Sequence, residues 1–341
     1  MQGISVIICC YNSASRLGET LSHLKSQKGL AAISWEVIVV DNASTDNTTE
    51  VALQHWKDFI TAPLRVIREP KAGLAHARKC GFNAAKYDYF CMVDDDNWLE
   101  MNYLKTVFDI FETQPNVGAC GGWGEETFDK NTKIPFWYDT FKNGYAVGKM
   151  SETEKILSHE KEFLYGAGLS MRKEIWYKLT SIGFESMLLG RTADKVTSGE
   201  DLEMNYMIRL LGYDLFFSPK LHFKHLMADN RLTWEYLKKL KKGFGSSAIY
   251  HGFYKNCLYP QTFRTFIRRF WLSEFLAVLL IFVAKFILFL PFSVIDKEGN
   301  RRCASWQYSL GRLQELWNLR NSYQKISRKI NYLAITACNC I

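Results

Sequence analysis

The chain has 341 residues, of which 48% are hydrophobic, and this is enough for one large or two modest globular domains with a buried core. Its nine cysteines are an odd number and form no CxxC pair, which argues against a disulfide framework and for reduced thiols in the cytoplasm. The formal charge of +8 is concentrated in the second half, and such clusters attract phosphate-rich surfaces, either nucleic acid or anionic lipid.

The first hundred residues alternate short apolar runs with segments of helical periodicity. The runs are residues 4–8, 35–40, 64–67 and 89–93, each rich in β-branched or aromatic residues and almost continuously apolar. Such runs are typical of parallel strands covered on both faces. Between them, apolar residues recur at helical spacing in three sets: Leu17, Leu21 and Leu24; Val51, Ala52, Trp56 and Phe59; Leu74, Ala77, Gly81 and Ala85. The alternation predicts an α/β fold with a doubly wound sheet.

Ligands of doubly wound sheets bind beyond the carboxyl ends of the strands. The polar residues that follow the strands are therefore candidates for a site: Tyr11 and Asn12, residues 41–46, residues 69–73 and residues 94–97.

Three adjacent carboxylates, Asp94, Asp95 and Asp96, come directly after the fourth apolar run. Because like charges repel, this grouping needs a compensating cation or hydrogen-bond donors. A hard divalent cation such as Mg²⁺ or Mn²⁺ matches oxygen ligands and leaves positions open for substrate phosphates. The alternative is a solvated acidic turn that caps the next helix through Asn97.

The pattern loosens over residues 118–161, which are rich in glycine and aromatic residues, and we expect loops over the site mixed with edge strands. Residues 200–211 have helical periodicity, and Gly212 predicts the end of that helix. A strand over residues 215–217 and a turn at Ser218-Pro219 are expected next, followed by His222 and His225.

Five motifs follow one another along the chain: Ser5-Val6-Ile7-Ile8 with Tyr11-Asn12, residues 36–46, Gly73-Leu74-Ala75-His76-Ala77-Arg78, the three aspartates, and Ser198-Gly199-Glu200-Asp201 followed by Arg209 and Gly212. In this order they resemble the family 2 glycosyltransferases over roughly residues 4–225. The resemblance implies a GT-A fold, a mixed sheet with a Rossmann-like nucleotide-binding half. The chain departs from the family pattern at two positions, with Cys9 for the usual proline and Asn42 for a frequent second aspartate. These departures leave the expected fold unchanged but bear on which nucleotide is bound.

The resemblance also implies roles for the residues at the strand ends. Tyr11 and Asn12 would recognise the nucleoside, Asp41 its base, and Asp95 the ribose region, while Lys71 and Arg78 would lie near the ribose or diphosphate. Lys71 and Arg78 could equally lie on a solvated helix face. Asp96, with Asp94, would hold the Mn²⁺ or Mg²⁺ ion, and His225 would lie near that metal unless it is a structural or surface histidine.

Asp201 matches the catalytic base of the family, which removes the proton of an acceptor hydroxyl as that hydroxyl attacks the anomeric carbon. Glu200 is grouped with it as a catalytic residue, since an adjacent negative charge makes a carboxylate a better base. The alternative is that Asp201 only stabilises the N-terminus of its helix.

The C-terminal region, residues 229–341, is predicted to be helical and to associate with a membrane. Residues 271–292 are long enough to cross a bilayer but contain Glu274 and Lys285 on one helical face, so an interfacial, spanning or re-entrant helix and a soluble core helix all remain open. The lysines of residues 238–242 are interpreted as a lipid-facing or acceptor-phosphate surface, and no nucleic acid is expected. The N-terminus has no charged leader, so we expect the cytoplasmic face of the membrane.

The sequence thus predicts a GT-A domain over residues 1–228, with a nucleotide-binding half at 1–115 and an acceptor half at 116–228. The expected activity is inverting transfer of a hexose or N-acetylhexosamine from a UDP-sugar to a saccharide or lipid-linked acceptor in cell-surface polysaccharide biosynthesis. Two alternatives are a nucleotidyltransferase, although residues 9–13 lack its glycine-rich phosphate loop, and a non-catalytic nucleotide-sugar-binding protein.

Overall fold

The computed structural model describes residues 1–157, 162–188, 199–259, 263–293 and 297–339, with only the backbone for 288–293. Its first part follows the predicted alternation: β1 Ile4–Cys10, α1 Leu17–Lys25, β2 Trp35–Asp41, α2 Thr48–Trp56, β3 Leu64–Arg68, α3 Leu74–Ala84, β4 Tyr89–Asp94, β5 Asn97–Leu99 and α4 Tyr103–Thr113. The four predicted strands and the three predicted helices are confirmed.

Strands β1 to β4 are parallel and lie in the order β3-β2-β1-β4. Side chains alternate between the two faces of a strand, so Val6 and Ile8 pack with α1, α2 and α4, while Ile7 packs with α3. All three are buried, as expected for a sheet covered on both faces. The carboxyl ends of β1, β2 and β4 therefore meet at one edge.

The second part of the chain extends this sheet and makes it mixed. Its elements are β6 Val117–Thr127, α5 Tyr138–Phe141, β7 Lys155–Ile156, β8 Ser170–Arg172, α6 Lys173–Ser181, α7 Glu200–Leu210 and β9 Asp214–Leu226. Beyond β4 the order continues β8-β6-β9-β5, with β8 antiparallel to β4 and β6, and β5 antiparallel to β9. The mixed doubly wound sheet is as predicted.

Two predictions for this part are wrong. Strand β6 lies between β8 and β9, inside the sheet, where we expected edge strands and loops. Its glycines permit this position, because a Cβ at Gly122 would lie 1.7 Å from the carbonyl oxygen of Leu221. The predicted turn at Ser218-Pro219 is absent, and β9 continues through both residues with a bulge opposite Gly122. A bulge accommodates proline, which has no N–H for the ladder.

The C-terminal region is helical, as predicted: α8 Trp234–Leu258, α9 Phe263–Ile267, α10 Trp271–Ser293, α11 Arg301–Asn318 and α12 Tyr323–Cys338. Helices α8 and α11 approach closely through glycines, since a Cβ at Gly311 would lie 2.0 Å from the carbonyl oxygen of Lys242. Phe253 and Leu333 pack into the same core as Met207 of α7. The apolar core is thus continuous across the predicted boundary at residue 228.

The polar side chains of α10 face the protein. Glu274 is 2% exposed and lies 3.4 Å from Arg268 Nε and 3.5 Å from Arg312 Nη2, while Lys285 Nζ donates to the hydroxyl of Ser309 at 2.8 Å. The prediction that Glu274 and Lys285 share a face is confirmed. Within the described ranges, no helix is both long enough and apolar enough to cross a bilayer.

Candidate active site

The acidic run forms a tight turn at the edge where the parallel strands end. Asp94 is the last residue of β4, and Asp95 and Asp96 are buried in the turn into β5. Because β5 pairs with β9, Asn97 lies opposite His225. This register places His225 Nε2 3.5 Å from Asp96 Oδ1, so a residue from far along the chain joins the acidic turn.

Asp95 is held by the loop that follows β1. Its carboxylate accepts a hydrogen bond from the hydroxyl of Ser13 and lies 2.6 Å from Arg16 Nη2. Burial and the neighbouring charge of Asp96 raise the pKa of Asp95, and Arg16 and Ser13 oppose this shift. The turn is thereby fixed to β1 and α1.

Asp96 is held by a residue beyond β9. Arg231, in a 3₁₀ turn at Asp229–Arg231, lies with Nη2 2.9 Å from Asp96 Oδ2 and Nη1 3.2 Å from His225 Nε2. Burial alone would lower the pKa of Arg231, but the charge of Asp96 outweighs it and the pKa is raised. One guanidinium therefore neutralises Asp96 and contacts its histidine neighbour.

Asp96 and His225 fit a divalent cation as a pair of ligands. Asp96 Oδ1 and His225 Nε2 lie 3.5 Å apart there. This ring nitrogen, which lies 3.2 Å from Arg231 Nη1, is the one that could bind a metal. No group of three or more His, Cys, Asp or Glu side chains that could hold a metal occurs in that part. Since Mg²⁺ is commonly held by one or two carboxylates plus substrate phosphates, a diphosphate would complete the coordination. Arg231 and a cation would compete for the same two side chains.

Asp201 and Glu200 begin α7 on the other side of the site. Asp201 Oδ2 accepts a hydrogen bond from the backbone N–H of Gly166 at 3.0 Å, and Glu200 Oε1 lies 3.4 Å from Arg78 Nη1. A Cβ at Gly166 would lie 3.0 Å from Arg78 Nη2 and 3.1 Å from Asp201 Cβ, so glycine permits these side chains to converge. Ser198 of the predicted motif lies outside the described residues.

One cavity of about 1200 Å³ joins the acidic turn to Asp201. The predicted site residues that line it are Tyr11, Arg78, Asp94, Asp95, Asp96, Glu200, Asp201 and His225. These side chains come from five separate segments of the chain, and the sheet edge brings them together. The cavity continues along α8 to residues of α9, α10 and α11.

Three predicted binding residues do not line this cavity. The carboxylate of Asp41 accepts hydrogen bonds from Ser44 N at 3.1 Å and Thr49 Oγ1 at 2.8 Å, and these bonds hold its pKa below the ordinary value although burial opposes them. Asn12 Oδ1 accepts from the backbone of Thr45 at 2.8 Å, and the side chain of Lys71 is exposed. In this structure Asp41 and Asn12 order the loop after β2, and their roles toward a nucleotide stay predictions.

Asn42, which departs from the family pattern, does line the cavity. Its side-chain amide donates to the carbonyl oxygen of Lys71 at 2.7 Å, and its Oδ1 accepts from Gly73 N at 2.8 Å. Asn42 therefore fixes the loop before α3, the helix that carries Arg78.

Sequence reasoning missed Arg16 and Arg231, the cations that pair with the acidic turn. The sequence indicates that the acidic turn needs cationic partners, because buried carboxylates require a partner. It does not indicate which cations these are, since Arg231 is 135 positions beyond Asp96 and belongs to none of the motifs described above.

The Glycosyl transferase family 2 model matches residues 5–179 of the chain. The poly-beta-1,6-N-acetyl-D-glucosamine synthase of Staphylococcus aureus (strain COL) is 29% identical over 221 residues, which are 64% of this chain and 48% of the synthase. The synthase of Staphylococcus epidermidis is 24% identical over 222 residues, 64% of this chain and 49% of that enzyme. The chain thus spans about half the length of the curated relatives it matches.

Two solved structures have a similar fold. The structure of S. aureus TarS 1-349 in complex with UDP has a TM-score of 0.50 at 18% identity and covers 71% of this chain and 65% of TarS 1-349. The complex with UDP-GlcNAc has a TM-score of 0.51 at 14% identity and covers 95% of this chain and 92% of that one. At these identities the likeness concerns the fold alone.

Proposed function

Because this chain belongs to glycosyl transferase family 2, we propose that it transfers a sugar from a nucleotide-diphosphate donor to a hydroxyl of a saccharide or lipid-linked acceptor, with inversion. The observation that carries the proposal is the single cavity that joins the acidic turn of residues 94–96 to Asp201. Its volume of about 1200 Å³ exceeds the roughly 300–1,000 Å³ typical of a pocket for one small ligand. Donor and acceptor can therefore be bound together.

The donor that we propose is a UDP-N-acetylhexosamine. In support, the curated relatives are synthases of an N-acetyl-D-glucosamine polymer, and TarS 1-349 has been solved with UDP and with UDP-GlcNAc. The diphosphate would lie at Asp96 and His225, with the nucleoside beside Tyr11. A divalent cation bound by these two residues would neutralise charge on the departing diphosphate. By the same relatives, we propose a role in cell-surface polysaccharide synthesis.

The reaction would be a single displacement. The acceptor oxygen forms a bond to the anomeric carbon as the bond from that carbon to the diphosphate oxygen breaks, and Asp201 takes the hydroxyl proton. The N–H of Gly166 donates to Asp201 Oδ2 and holds the carboxylate in place. Arg78, paired with Glu200, lines the same cavity as Asp201 and the acidic turn.

A panel of nucleotide sugars, with Mn²⁺ or with EDTA, tests the donor. We expect one or more UDP-N-acetylhexosamines to raise the melting temperature in Mn²⁺, because a ligand that binds the native state stabilises it. The same compounds should be slowly hydrolysed to UDP. Pyrophosphate release from a nucleoside triphosphate, with no hydrolysis of any sugar nucleotide, would instead identify a nucleotidyltransferase and contradict the proposal.

We also propose that the outer surface of α9 and α10 lies on the cytoplasmic face of an anionic membrane. Its apolar residues are strongly exposed and recur at helical spacing: Phe263, Phe266, Leu272, Leu276, Leu280, Val283 and Ile287. Exposed basic residues flank this surface: Arg264, Arg269, Lys297, Arg301 and Arg302. An apolar face bordered by cations is complementary to acyl chains beneath anionic headgroups.

Leu280→Glu is expected to weaken binding to vesicles containing phosphatidylglycerol at least tenfold. Leu280 is 71% exposed, and burying a leucine contributes about 1.5–3 kcal/mol. Co-sedimentation measures the effect, with Leu53→Glu as the control, because Leu53 is also exposed but lies on α2. Equal binding of the two variants would show that α10 is not the membrane-facing surface.

A further inference from the structure

The first turn of α7 carries Asp201, the second residue of that helix. Gly199 is the residue before the helix, and it has no side chain with which to cap the turn. The first turn of a helix leaves backbone N–H groups without helical partners, and helix ends fray unless neighbouring groups hold them. The position of the Asp201 carboxylate therefore depends on what holds Gly199.

His251 of α8 holds the backbone of Gly199. The Nε2 atom of His251 lies 2.9 Å from the carbonyl oxygen of Gly199, which also accepts the helical hydrogen bond of Glu203 N at 3.0 Å. Because a carbonyl oxygen can only accept, Nε2 must be the ring nitrogen that carries the proton. The oxygen has two lone pairs, so both bonds form together. His251 thus adds a fixed point from α8 to the first turn of α7.

The glycine of the Ser198-Gly199-Glu200-Asp201 motif is explained by this contact. The φ angle of Gly199 is 113°, which residues with a side chain rarely adopt. A Cβ at Gly199 would also lie 2.6 Å from Cε1 and 2.8 Å from Nε2 of His251. A side chain at this position would therefore push the imidazole ring away from the carbonyl oxygen.

The charge of His251 also suits a position next to a base. Burial lowers the pKa of His251 to about 4, although its bond to Gly199 and the charge of Asp201 oppose the shift. The ring is therefore a neutral donor at physiological pH. A cation in its place would stabilise the ionised carboxylate of Asp201 and make it a weaker proton acceptor. Histidine can hold the turn without this penalty.

A second hydrogen bond joins the same two helices one turn further along, away from the cavity. The hydroxyl of Tyr254 donates to Glu203 Oε1 at 2.7 Å, and Glu203 is fully buried. His251 and Asp201 line the cavity, whereas the residues of this second bond lie behind it. The bond of Tyr254 thus represents the packing of α8 on α7 alone, and it provides a comparison for His251.

We propose that His251 is a positioning residue for the reaction, which holds Gly199 so that the first turn of α7 directs Asp201 at the acceptor hydroxyl. The inference rests on the transferase function proposed above and adds a residue of α8 to its machinery. A reacting group displaced by about 1 Å can lower a rate roughly 10²-fold. Loss of this one hydrogen bond should therefore reduce turnover in a chain that still folds and binds UDP.

Glutamine and asparagine at position 251 separate the hydrogen bond from general packing. The amide nitrogen of glutamine can take the place of Nε2, whereas that of asparagine lies one carbon closer to the backbone and cannot reach Gly199. The assay is hydrolysis of UDP-GlcNAc by the full chain in Mn²⁺, with water in place of the acceptor hydroxyl. We expect His251→Asn to lower kcat about 10–100-fold and His251→Gln to stay within about threefold of the unmodified chain.

The affinity for UDP should change less than about threefold in both variants, which also shows that they are folded, since only the placement of the base is altered. Gly199→Ala is a second route to the same loss of kcat, because its Cβ displaces the ring while the histidine is kept. Normal turnover by His251→Asn, or equal losses in His251→Asn and His251→Gln, would overturn the proposal.

Tyr254→Phe is the matched structural control, since it removes the other hydrogen bond between α8 and α7. We expect a lower melting temperature with an unchanged kcat. A loss of kcat as large as that of His251→Asn would show that any loosening of α7 slows the reaction, and the specific role of His251 would be wrong.

Amide hydrogen exchange at Gly166 gives a readout that does not depend on turnover. The N–H of Gly166 donates to Asp201 Oδ2 at 3.0 Å, so displacement of Asp201 should make this amide exchange faster. We expect faster exchange in His251→Asn and unchanged exchange in Tyr254→Phe. Unchanged exchange in His251→Asn would contradict the proposal.

The two proposals fail in different ways. If the unmodified chain hydrolyses no sugar nucleotide, the transferase function is wrong, and exchange at Gly166 still decides whether His251 holds Asp201. If the unmodified chain hydrolyses UDP-GlcNAc and His251→Asn does so equally fast, the positioning role of His251 alone is wrong.

Discussion

Asp201→Asn is expected to reduce sugar transfer about 10²–10⁴-fold while changing the affinity for UDP by less than threefold, since general-base catalysis contributes roughly this factor. The amide cannot accept the proton of the acceptor hydroxyl. Its oxygen can still accept the hydrogen bond from the N–H of Gly166, so the loop at residue 166 should stay in place. Initial rates of transfer and a UDP titration measure the two quantities.

The control is Asp214→Asn, which removes a carboxylate at the start of β9, outside the cavity. Transfer by this variant should be normal. Glu200→Gln tests the adjacent carboxylate separately from Asp201. It weakens the pair with Arg78 but leaves the proposed base, and we expect the rate of sugar transfer to fall only about tenfold. Normal turnover by Asp201→Asn would show that another group accepts the proton.

Asp96→Asn is expected to abolish Mn²⁺-dependent binding of UDP and with it sugar transfer. The substitution removes a carboxylate ligand and also leaves Arg231 without its closest anion, at a position where Asp96 is 4% exposed. Removing one partner of a buried ion pair costs about 3–5 kcal/mol of folding stability. UDP titrations in Mn²⁺ and in EDTA, together with chemical unfolding, separate the effect on the ligand from the effect on the fold.

Arg231→Gln distinguishes the loss of the metal ligand from the loss of the buried ion pair. It breaks the same ion pair, so the free energy of unfolding should fall by a similar amount. It leaves Asp96 and His225 without the competing guanidinium, so Mn²⁺-dependent UDP binding should be retained or strengthened. If Asp96→Asn kept Mn²⁺-dependent binding of UDP, the metal-ligand assignment would be wrong.

The parallel half of the sheet could be predicted because its signals are local. Strands β1, β2 and β4 are short apolar runs whose residues are buried on both faces, while β3 at the sheet edge is only half-buried. Each run is followed by the polar residues of a loop. The acidic turn was found for the same reason, since Asp94 directly ends β4. Nothing beyond the neighbouring residues was needed.

The central position of β6 and the uninterrupted course of β9 are not predictable from local sequence, because both depend on pairing with distant partners. The glycines of β6 indicate loops when considered alone, yet Gly122 is the residue that admits the backbone of Leu221. Pro219 likewise indicates a turn, but a bulge in β9 accommodates it. Close approach of two backbones is a tertiary property that local composition does not reveal.

In the candidate site, too, local motifs are predictable from the sequence while contacts between distant residues are not. Asp96 and Asp201 stand in motifs, and the structure brings both to one cavity. Asp41 also stands in a motif, yet its carboxylate is occupied by Ser44 and Thr49. Which side chain a buried aspartate contacts is decided by loop geometry, and the residue types alone do not determine it.

The pairing of Asn97 with His225 has a consequence for the order in which the molecule is made. The two residues are 128 positions apart, and closing so long a loop is entropically costly and slow. During synthesis the four parallel strands can assemble first, as N-terminal parts of a chain generally do. His225 can join the acidic turn only after β9 has been synthesised and has paired with β5. A nascent chain would therefore acquire its sheet well before it could hold a metal or a sugar nucleotide.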